Sequence, residues 1–242
     1  MDGDWTVDEL ALAGPEHLDP GLVARYDRKQ GHPDPGPDLA VLRAHGLDGT
    51  GTLVDIGAGT GRFALAAARQ VRRVVAVDVS PAMQEVLRRR AREAGLSNVE
   101  CVRAGFLSYE HTGEPADAVF TRNALHHLPD FWKAVALGRI AAILRPGGVL
   151  RLHDLVFDFA PDEAEPVLGD WLAGAAADPA TGYTRDDLAE HVRTEFSTYR
   201  WLLEPMLRAT GFEIVSADFR GRVYGAYTCV RRSPATRSRS GR

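Results

Sequence analysis

A glycine-rich segment followed at a fixed distance by a carboxylate is the strongest chemical signal in this 242-residue sequence. The segment runs from Asp55 to Gly61 as Asp-Ile-Gly-Ala-Gly-Thr-Gly, and Asp78 lies 21 residues beyond Gly57. Glycines let a backbone turn sharply and approach a ligand closely, and the start of a following helix offers unpaired N–H groups. A carboxylate ending the next strand lies beside the ribose of a nucleoside bound over such a turn. The spacing therefore predicts a nucleoside-binding site.

The third glycine position separates two kinds of nucleoside site. The dinucleotide fingerprint is Gly-x-Gly-x-x-Gly, and its third glycine permits close packing of the helix on the strand. Gly57 and Gly59 fit the first two positions, but Arg62 stands at the third. The pattern Asp-x-Gly-x-Gly-x-Gly instead resembles motif I of the class I S-adenosylmethionine-dependent methyltransferases.

Further segments resemble that family in the same order, so the resemblance covers about residues 50–155. Asp78 matches the family's ribose-binding acid, and residues 79–83 match its adenine-flanking turn. Residues 121–130, Thr-Arg-Asn-Ala-Leu-His-His-Leu-Pro-Asp, look like the segment after the fourth strand of small-molecule members. Residues 144–148, Leu-Arg-Pro-Gly-Gly, match the turn before strand five.

The resemblance implies S-adenosylmethionine as cofactor and methyl transfer to a small molecule. The cofactor-binding residues that it implies are Tyr26, Asp55, Gly57, Ala58, Gly59, Gly61, Asp78, Val79, Met83, Gly105, Phe106 and Asn123. Structural roles remain open for four of them: packing for Tyr26 and Met83, and capping for Asp78 and Asn123.

One departure from the family follows the third predicted strand. The family usually carries Gly-Asp there, opposite the adenine amino group, whereas this chain has Ala104-Gly105-Phe106. The side-chain carboxylate is therefore missing. We expect backbone contacts from Gly105 and Phe106, with stacking on Phe106, to replace it.

Two adjacent histidines and an aspartate are the candidate catalytic residues. His126 and His127 follow the fourth predicted strand, and Asp154 ends the fifth. Neighbouring strands lie ~4.8 Å apart, so their carboxyl ends bring these side chains to one crevice. We expect His126, oriented by Asp154, to accept a proton from the methyl acceptor, with His127 as the alternative. Packing or capping roles stay open for all three, and Glu195 and Tyr199 are weaker candidates.

The elements that position these residues alternate along the chain. Single helices separate short, β-branched strands, which predicts parallel βαβ units. The resemblance implies an α/β fold: a doubly wound, mostly parallel, seven-stranded Rossmann-like sheet with an antiparallel last strand and a helical cap. The predicted strands of the core are 53–56, 74–78, 99–103, 116–120 and 149–152.

This organisation predicts a single methyltransferase domain over residues 1–231, followed by a disordered tail at 232–242. The parts of the domain are an N-terminal helical cap (1–50), a cofactor-binding core (51–155), a substrate lid (156–196), and a closing helix and hairpin (197–231).

Composition excludes several classes of protein. With 45% hydrophobic and 26% charged residues the chain is globular, and it lacks the ~18–20 consecutive apolar residues of a membrane span. A net charge of −4 gives no overall attraction to nucleic acid or anionic lipid. Two cysteines are too few for a disulfide framework or a thiolate zinc site, and no metal is expected. Because no secretory signal is readable, we expect a cytoplasmic protein.

Two rival functions remain open. One is a protein that binds the cofactor without methyl transfer. The other is an NAD-dependent oxidoreductase, which is disfavoured because Arg62 stands at the third glycine position of the dinucleotide fingerprint. The oligomeric state, the acceptor, and the choice among O, N and C as methylated atom are not readable from the sequence. Four aromatic residues of the predicted lid favour a small, partly apolar metabolite: Phe159, Trp171, Tyr183 and Phe196.

Overall fold

The structure is a computed structural model and describes residues 5–233. Its helices are α1 Glu9–Leu12, α2 Pro15–Leu18, α3 Pro20–Lys29, α4 Gly36–Ala44, α5 Arg62–Ala67, α6 Pro81–Glu93, α7 Asp130–Ile143, α8 Ala164–Ala173, α9 Arg185–Thr194 and α10 Arg200–Ala209. Its strands are β1 Thr52–Ile56, β2 Arg73–Asp78, β3 Val99–Arg103, β4 Ala116–Arg122, β5 Leu144–Phe157, β6 Thr198–Tyr199, β7 Phe212–Arg220 and β8 Tyr224–Arg231.

Seven strands form one path in the order β3-β2-β1-β4-β5-β8-β7. The five core strands are parallel, and β8 runs antiparallel to both β5 and β7. The predicted mostly parallel sheet with an antiparallel last strand is therefore confirmed. The sequence did not predict the two-residue strand β6, which pairs with the end of β5.

Strands β1 and β2 are buried on both faces, which explains why their residues are mostly apolar. Along β1, Leu53 belongs to one hydrophobic cluster, whereas Val54 and Ile56 belong to the other. Successive side chains of a strand point to opposite faces, so the two clusters are the two layers of helix-on-sheet packing. This core holds the carboxyl ends of the parallel strands at one edge.

Local differences from the predicted elements occur after residue 143. Strand β5 is longer than predicted, because its pairing with β4 starts at Leu144, its pairing with β8 reaches Leu155, and β6 pairs with Val156 and Phe157. Thr184 caps α9, and its hydroxyl accepts from the N–H of Asp187 at 3.3 Å. Helix α10 begins at Arg200, and the hydroxyl of Ser197 lies 2.7 Å from Nε2 of His191.

Within residues 5–233, no helix combines the length and apolar character that crossing a membrane requires. The predicted disordered tail lies outside the described residues from position 234 onward.

Candidate functional site

The glycine-rich turn follows β1 at the carboxyl edge of the sheet. Gly57 has φ +74°, a conformation that side-chain-bearing residues rarely adopt, and its N–H donates to the carbonyl of Val77 over 2.9 Å. A Cβ on Gly57 would overlap the side chain of Ala124. Glycine is therefore required here both for the backbone conformation and for the close approach of two segments.

Asp78 ends β2 and is fixed by two backbone donors. Its Oδ2 accepts from the N–H of Gly59 at 2.7 Å and its Oδ1 from the N–H of Ser80 at 2.8 Å. A carboxylate offers about four lone-pair positions, so acceptor capacity remains for a ligand. Burial raises the pKa of Asp78, and the two N–H donors oppose that shift.

Asp55 lies beneath the turn with an unsatisfied oxygen. Its side chain is buried, and Oδ2 has no hydrogen-bond partner among the described residues. Burial, followed by the charge of Asp78, raises the pKa of Asp55 to about 8. A nearby positive group would favour its charged form, so this oxygen is suited to a cationic ligand.

Two cavities flank the turn and share Gly57 in their walls. The larger, with about 630 Å³ of empty space, contains five other candidate cofactor residues: Tyr26, Asp55, Ala58, Gly59 and Asn123. The smaller cavity, of about 390 Å³, is lined by four more of the predicted cofactor residues: Asp78, Val79, Gly105 and Phe106.

Gly61 and Met83 are the two predicted cofactor residues that line neither cavity. Gly61 directly precedes α5 with φ +88°, and a Cβ there would lie 2.7 Å from Cγ of Leu87. Met83 is buried in α6 beneath the turn. A side chain at position 61 would collide with α6, so Gly61 permits the close packing of α5 and α6.

Asn123 follows β4 with φ +50°, and its N–H donates to the carbonyl of His153 over 2.9 Å. Its Nδ2 lies 3.4 Å from Oε1 of Gln30, which belongs to the N-terminal cap. Its side chain faces the larger cavity and bonds to the N-terminal cap rather than to the backbone of its own loop.

A charged network at the larger cavity was missed by the sequence analysis. The buried Asp38 of α4 accepts from Arg122 at 2.7 Å and from Arg151 at 2.8 Å, and its Oδ1 lies 2.7 Å from Nε2 of His153. Burial alone would raise the pKa of Asp38, but the bond to His153 and the two arginines lower it to about 2. Asp38 stands in a proline-rich stretch with no motif, so only tertiary structure reveals its partners.

His126 and Asp154 meet as predicted. The Asp154 carboxylate contacts Nδ1 of His126 and also accepts from the N–H of His126 at 3.0 Å. On the other side of the ring, Nε2 lies 2.9 Å from Oε2 of Glu195. The same oxygen lies 2.8 Å from Nδ1 of His191 and 3.8 Å from Nδ1 of His127.

These contacts set opposite protonation states for the two adjacent histidines. Burial alone would lower the pKa of His126, but the charges and hydrogen bonds of Asp154 and Glu195 raise it to about 9. Burial, together with repulsion from His126 and His17, holds the pKa of His127 well below its usual range. At neutral pH, His126 is therefore charged and His127, which lines the smaller cavity, is neutral.

The predicted lid contacts both the histidine pair and the N-terminal cap. Glu195 directly follows α9, and the N–H of Phe196 donates to the carbonyl of His126 over 2.9 Å. On the cap side, Lys29 pairs with Asp187 at 3.0 Å. The i, i+4 spacing of His191 and Glu195 is the signal that would have given Glu195 more weight in the sequence.

The aromatic residues of the lid separate into two groups. Phe159 and Trp171 share an apolar cluster with Tyr199. Tyr183 instead faces the cap, where its hydroxyl accepts from Nε2 of Gln30 at 2.7 Å, and Phe196 is exposed. The weaker candidate Tyr199 is thus a packing residue in this arrangement.

Comparison with known proteins identifies similar chains. Residues 53–148 match a family described as "Methyltransferase domain". An uncharacterized methyltransferase of Bacillus subtilis, YcgJ, is 33% identical over 120 residues, which span 50% of this chain and 45% of that protein. An uncharacterized methyltransferase of Mycobacterium bovis, Mb0092, is 30% identical over 166 residues, 64% of this chain and 82% of the relative.

A solved structure shows the same fold. Magnesium protoporphyrin IX methyltransferase of Synechocystis, with bound S-adenosylmethionine, superposes with a TM-score of 0.62 at 16% identity. The match covers 95% of this chain and 100% of that one.

Proposed function

We propose that this chain, which belongs to the class I S-adenosylmethionine-dependent methyltransferases, transfers a methyl group from that cofactor to an O, N or C atom of a small molecule. The observation that carries the proposal is the pair of cavities that share Gly57 in their walls. The Asp78 carboxylate, fixed by the N–H of Gly59, lies in the wall of the smaller cavity.

The residues present fit the cofactor. Asp78 keeps lone pairs for the two ribose hydroxyls, and the left-handed Gly57 and Gly59 remove the side chains that would block approach to the backbone. The unsatisfied Oδ2 of Asp55 in the larger cavity suits the positive charge of the methionine part. When bound, S-adenosylmethionine supplies an electrophilic methyl carbon, and alignment of the acceptor falls to the protein.

His126 is the group that we assign to proton removal. Asp154 holds Nδ1, so Nε2 is the nitrogen that would take a proton from an acceptor hydroxyl or ammonium, leaving the electron pair on the acceptor atom. While Glu195 remains at Nε2, His126 carries a proton at pH 7. Glu195 therefore has to leave Nε2 before His126 can act as a base, and its place on the predicted lid allows acceptor entry to cause that movement.

His127 is the alternative base. It is neutral at pH 7, and its Nδ1 has no hydrogen-bond partner among the described residues. Its low pKa makes it a weaker base than His126, so we assign it the secondary role.

One experiment separates this function from its rivals. Calorimetric titration with S-adenosylmethionine and with NAD identifies the cofactor, and a screen of phenols, sugars and amines for S-adenosylhomocysteine release identifies the acceptor. Binding of S-adenosylmethionine without release on any acceptor would favour a protein that binds the cofactor and does not methylate. Binding of NAD alone would overturn the proposal.

A further inference from the structure

The N-terminal helix α1 brings the carboxylate of Glu9 to the loop after β3. Oε2 of Glu9 accepts from the N–H of Leu107 at 3.0 Å and from the hydroxyl of Ser108 at 3.1 Å. The partners are almost a hundred positions apart, so this contact is a feature of the tertiary fold.

The Glu9 carboxylate occupies the place where a side chain of residue 105 would begin. A Cβ on Gly105 would lie 2.5 Å from Cδ of Glu9 and 2.6 Å from its Oε2. Gly105 is not among the residues with positive φ, so its backbone permits a side chain. The space for that side chain is taken by the carboxylate of another residue.

Glu9 also belongs to the wall of the smaller cavity, together with Asp78, Gly105 and Phe106. Two carboxylates therefore line one cavity, and Asp78 is the one suited to ribose hydroxyls. Leu107 and Ser108 use about two of the four lone-pair positions of Glu9. A further donor can be accepted by the remaining ones.

We propose that Glu9 supplies the carboxylate that accepts a hydrogen bond from the adenine 6-amino group, in place of the aspartate that similar proteins carry after the third strand. The inference rests on the proposed cofactor site and assigns adenine recognition to the N-terminal segment. Burial raises the pKa of Glu9, whereas the N–H of Leu107 and the Ser108 hydroxyl favour the charged form that accepts.

The test compares S-adenosylhomocysteine with its 6-oxo analogue, S-inosylhomocysteine, by calorimetry. The 6-oxo group is an acceptor, so the native protein should prefer the amino ligand. Losing a hydrogen bond to a charged group should weaken binding of S-adenosylhomocysteine by roughly 10- to 100-fold in Glu9→Ala. In Glu9→Gln the amide can accept from a 6-amino group and also donate to a 6-oxo group. This variant should therefore show a smaller preference for S-adenosylhomocysteine over S-inosylhomocysteine. The matched control is Glu85→Gln, an exposed position on α6, which should keep native affinities.

A second variant pair keeps the test independent of folding. Gly105→Asp alone collides with Glu9 and should weaken binding, whereas Glu9→Ala with Gly105→Asp has room for the new carboxylate and should regain affinity for the amino ligand. If Glu9→Ala keeps the native ratio of affinities for S-adenosylhomocysteine and S-inosylhomocysteine, Glu9 does not bind the 6-amino group and the inference is wrong. If the native protein binds neither ligand, the proposed function itself fails.

Discussion

Glu195 lies with Oε2 2.9 Å from Nε2 of His126, so the proposed base is in contact with a second carboxylate besides Asp154. The sequence predicted a histidine oriented by one aspartate, Asp154. The structure instead places two carboxylates at the ring, and their charges raise the pKa of His126 to about 9. Several properties of the protein should depend on this contact.

Stability should depend on pH through this ion pair. The pKa of His126 is raised on folding, so its stabilisation is complete below about pH 6.5 and is lost as the pH rises through about 9. Burial alone would raise the pKa of Glu195, but His126 and His191 lower it overall. The stabilisation that Glu195 contributes is therefore lost as the pH falls below about 4.5.

Glu195→Gln should therefore lower the free energy of unfolding most near pH 5–6, by about 3 kcal/mol. The low end of the range for buried pairs applies because the Glu195 side chain is 25% exposed. Denaturant unfolding at pH 5.5 and at pH 9.5 measures the difference. Equal losses at both values would show that the pair does not stabilise the fold; Glu190→Gln, on the exposed side of α9, is the control.

Cofactor affinity should depend on Asp78. Asp78→Ala removes the acceptor proposed for two ribose hydroxyls, at ~1.5–3 kcal/mol for each charge-assisted bond, and should weaken cofactor binding at least tenfold. Asp78→Asn keeps an oxygen for the N–H of Gly59 or Ser80, so it separates loss of ligand contact from loss of turn structure. Unchanged affinity in both variants would contradict the site assignment.

The sheet could be predicted because its information is local. Most core strands are short, largely apolar runs between helical segments, and the glycine turn requires a left-handed backbone at Gly57. The contact of His126 with Asp154 was equally accessible, since adjacent parallel strands bring their ends together.

Contacts between distant segments could not be predicted in this way. Asp38 reaches Arg151, and Glu9 reaches Leu107, from the N-terminal cap, where neither helical periodicity nor a motif marks them. The second carboxylate beside His126, that of Glu195, belongs to a lid whose sequence matches no motif. Such contacts depend on how the cap and the lid pack on the sheet.

Cap and lid should respond together to ligand. Lys29 pairs with Asp187, and Gln30 donates to Tyr183, so the two segments contact each other beside the cavities. We expect amide hydrogen exchange in residues 157–196 and 15–30 to slow when cofactor and acceptor are added, because lids are drawn from segments of low local stability. Unchanged exchange in these two segments, measured by mass spectrometry, would count against a lid.

Chelation should leave turnover unchanged. His126, His127 and Glu195 are the one group of potential ligands within the described chain whose donor atoms all lie within 4.8 Å of one another. Glu195 is already paired with His126 and His191, so we interpret the group as an ion-pair network. Dialysis against EDTA followed by an assay in metal-free buffer tests this; activity restored only by Zn²⁺ or Mg²⁺ would show a metal site.

The base assignment makes the sharpest kinetic prediction. General-base assistance is typically worth ~10²–10⁴-fold, so His126→Ala should lower kcat by that order while cofactor affinity stays nearly native. A base must be neutral, so the rate of the native enzyme should rise with pH. In enzyme whose Glu195 is still paired with His126, the rise should continue to about pH 9, the pKa of that histidine. Glu195→Gln removes one of the two charges that raise the pKa of His126, and the rising limb should move to lower pH. A profile that stays in place in Glu195→Gln, with full turnover in both His126→Ala and His127→Ala, would mean that catalysis here rests on alignment alone.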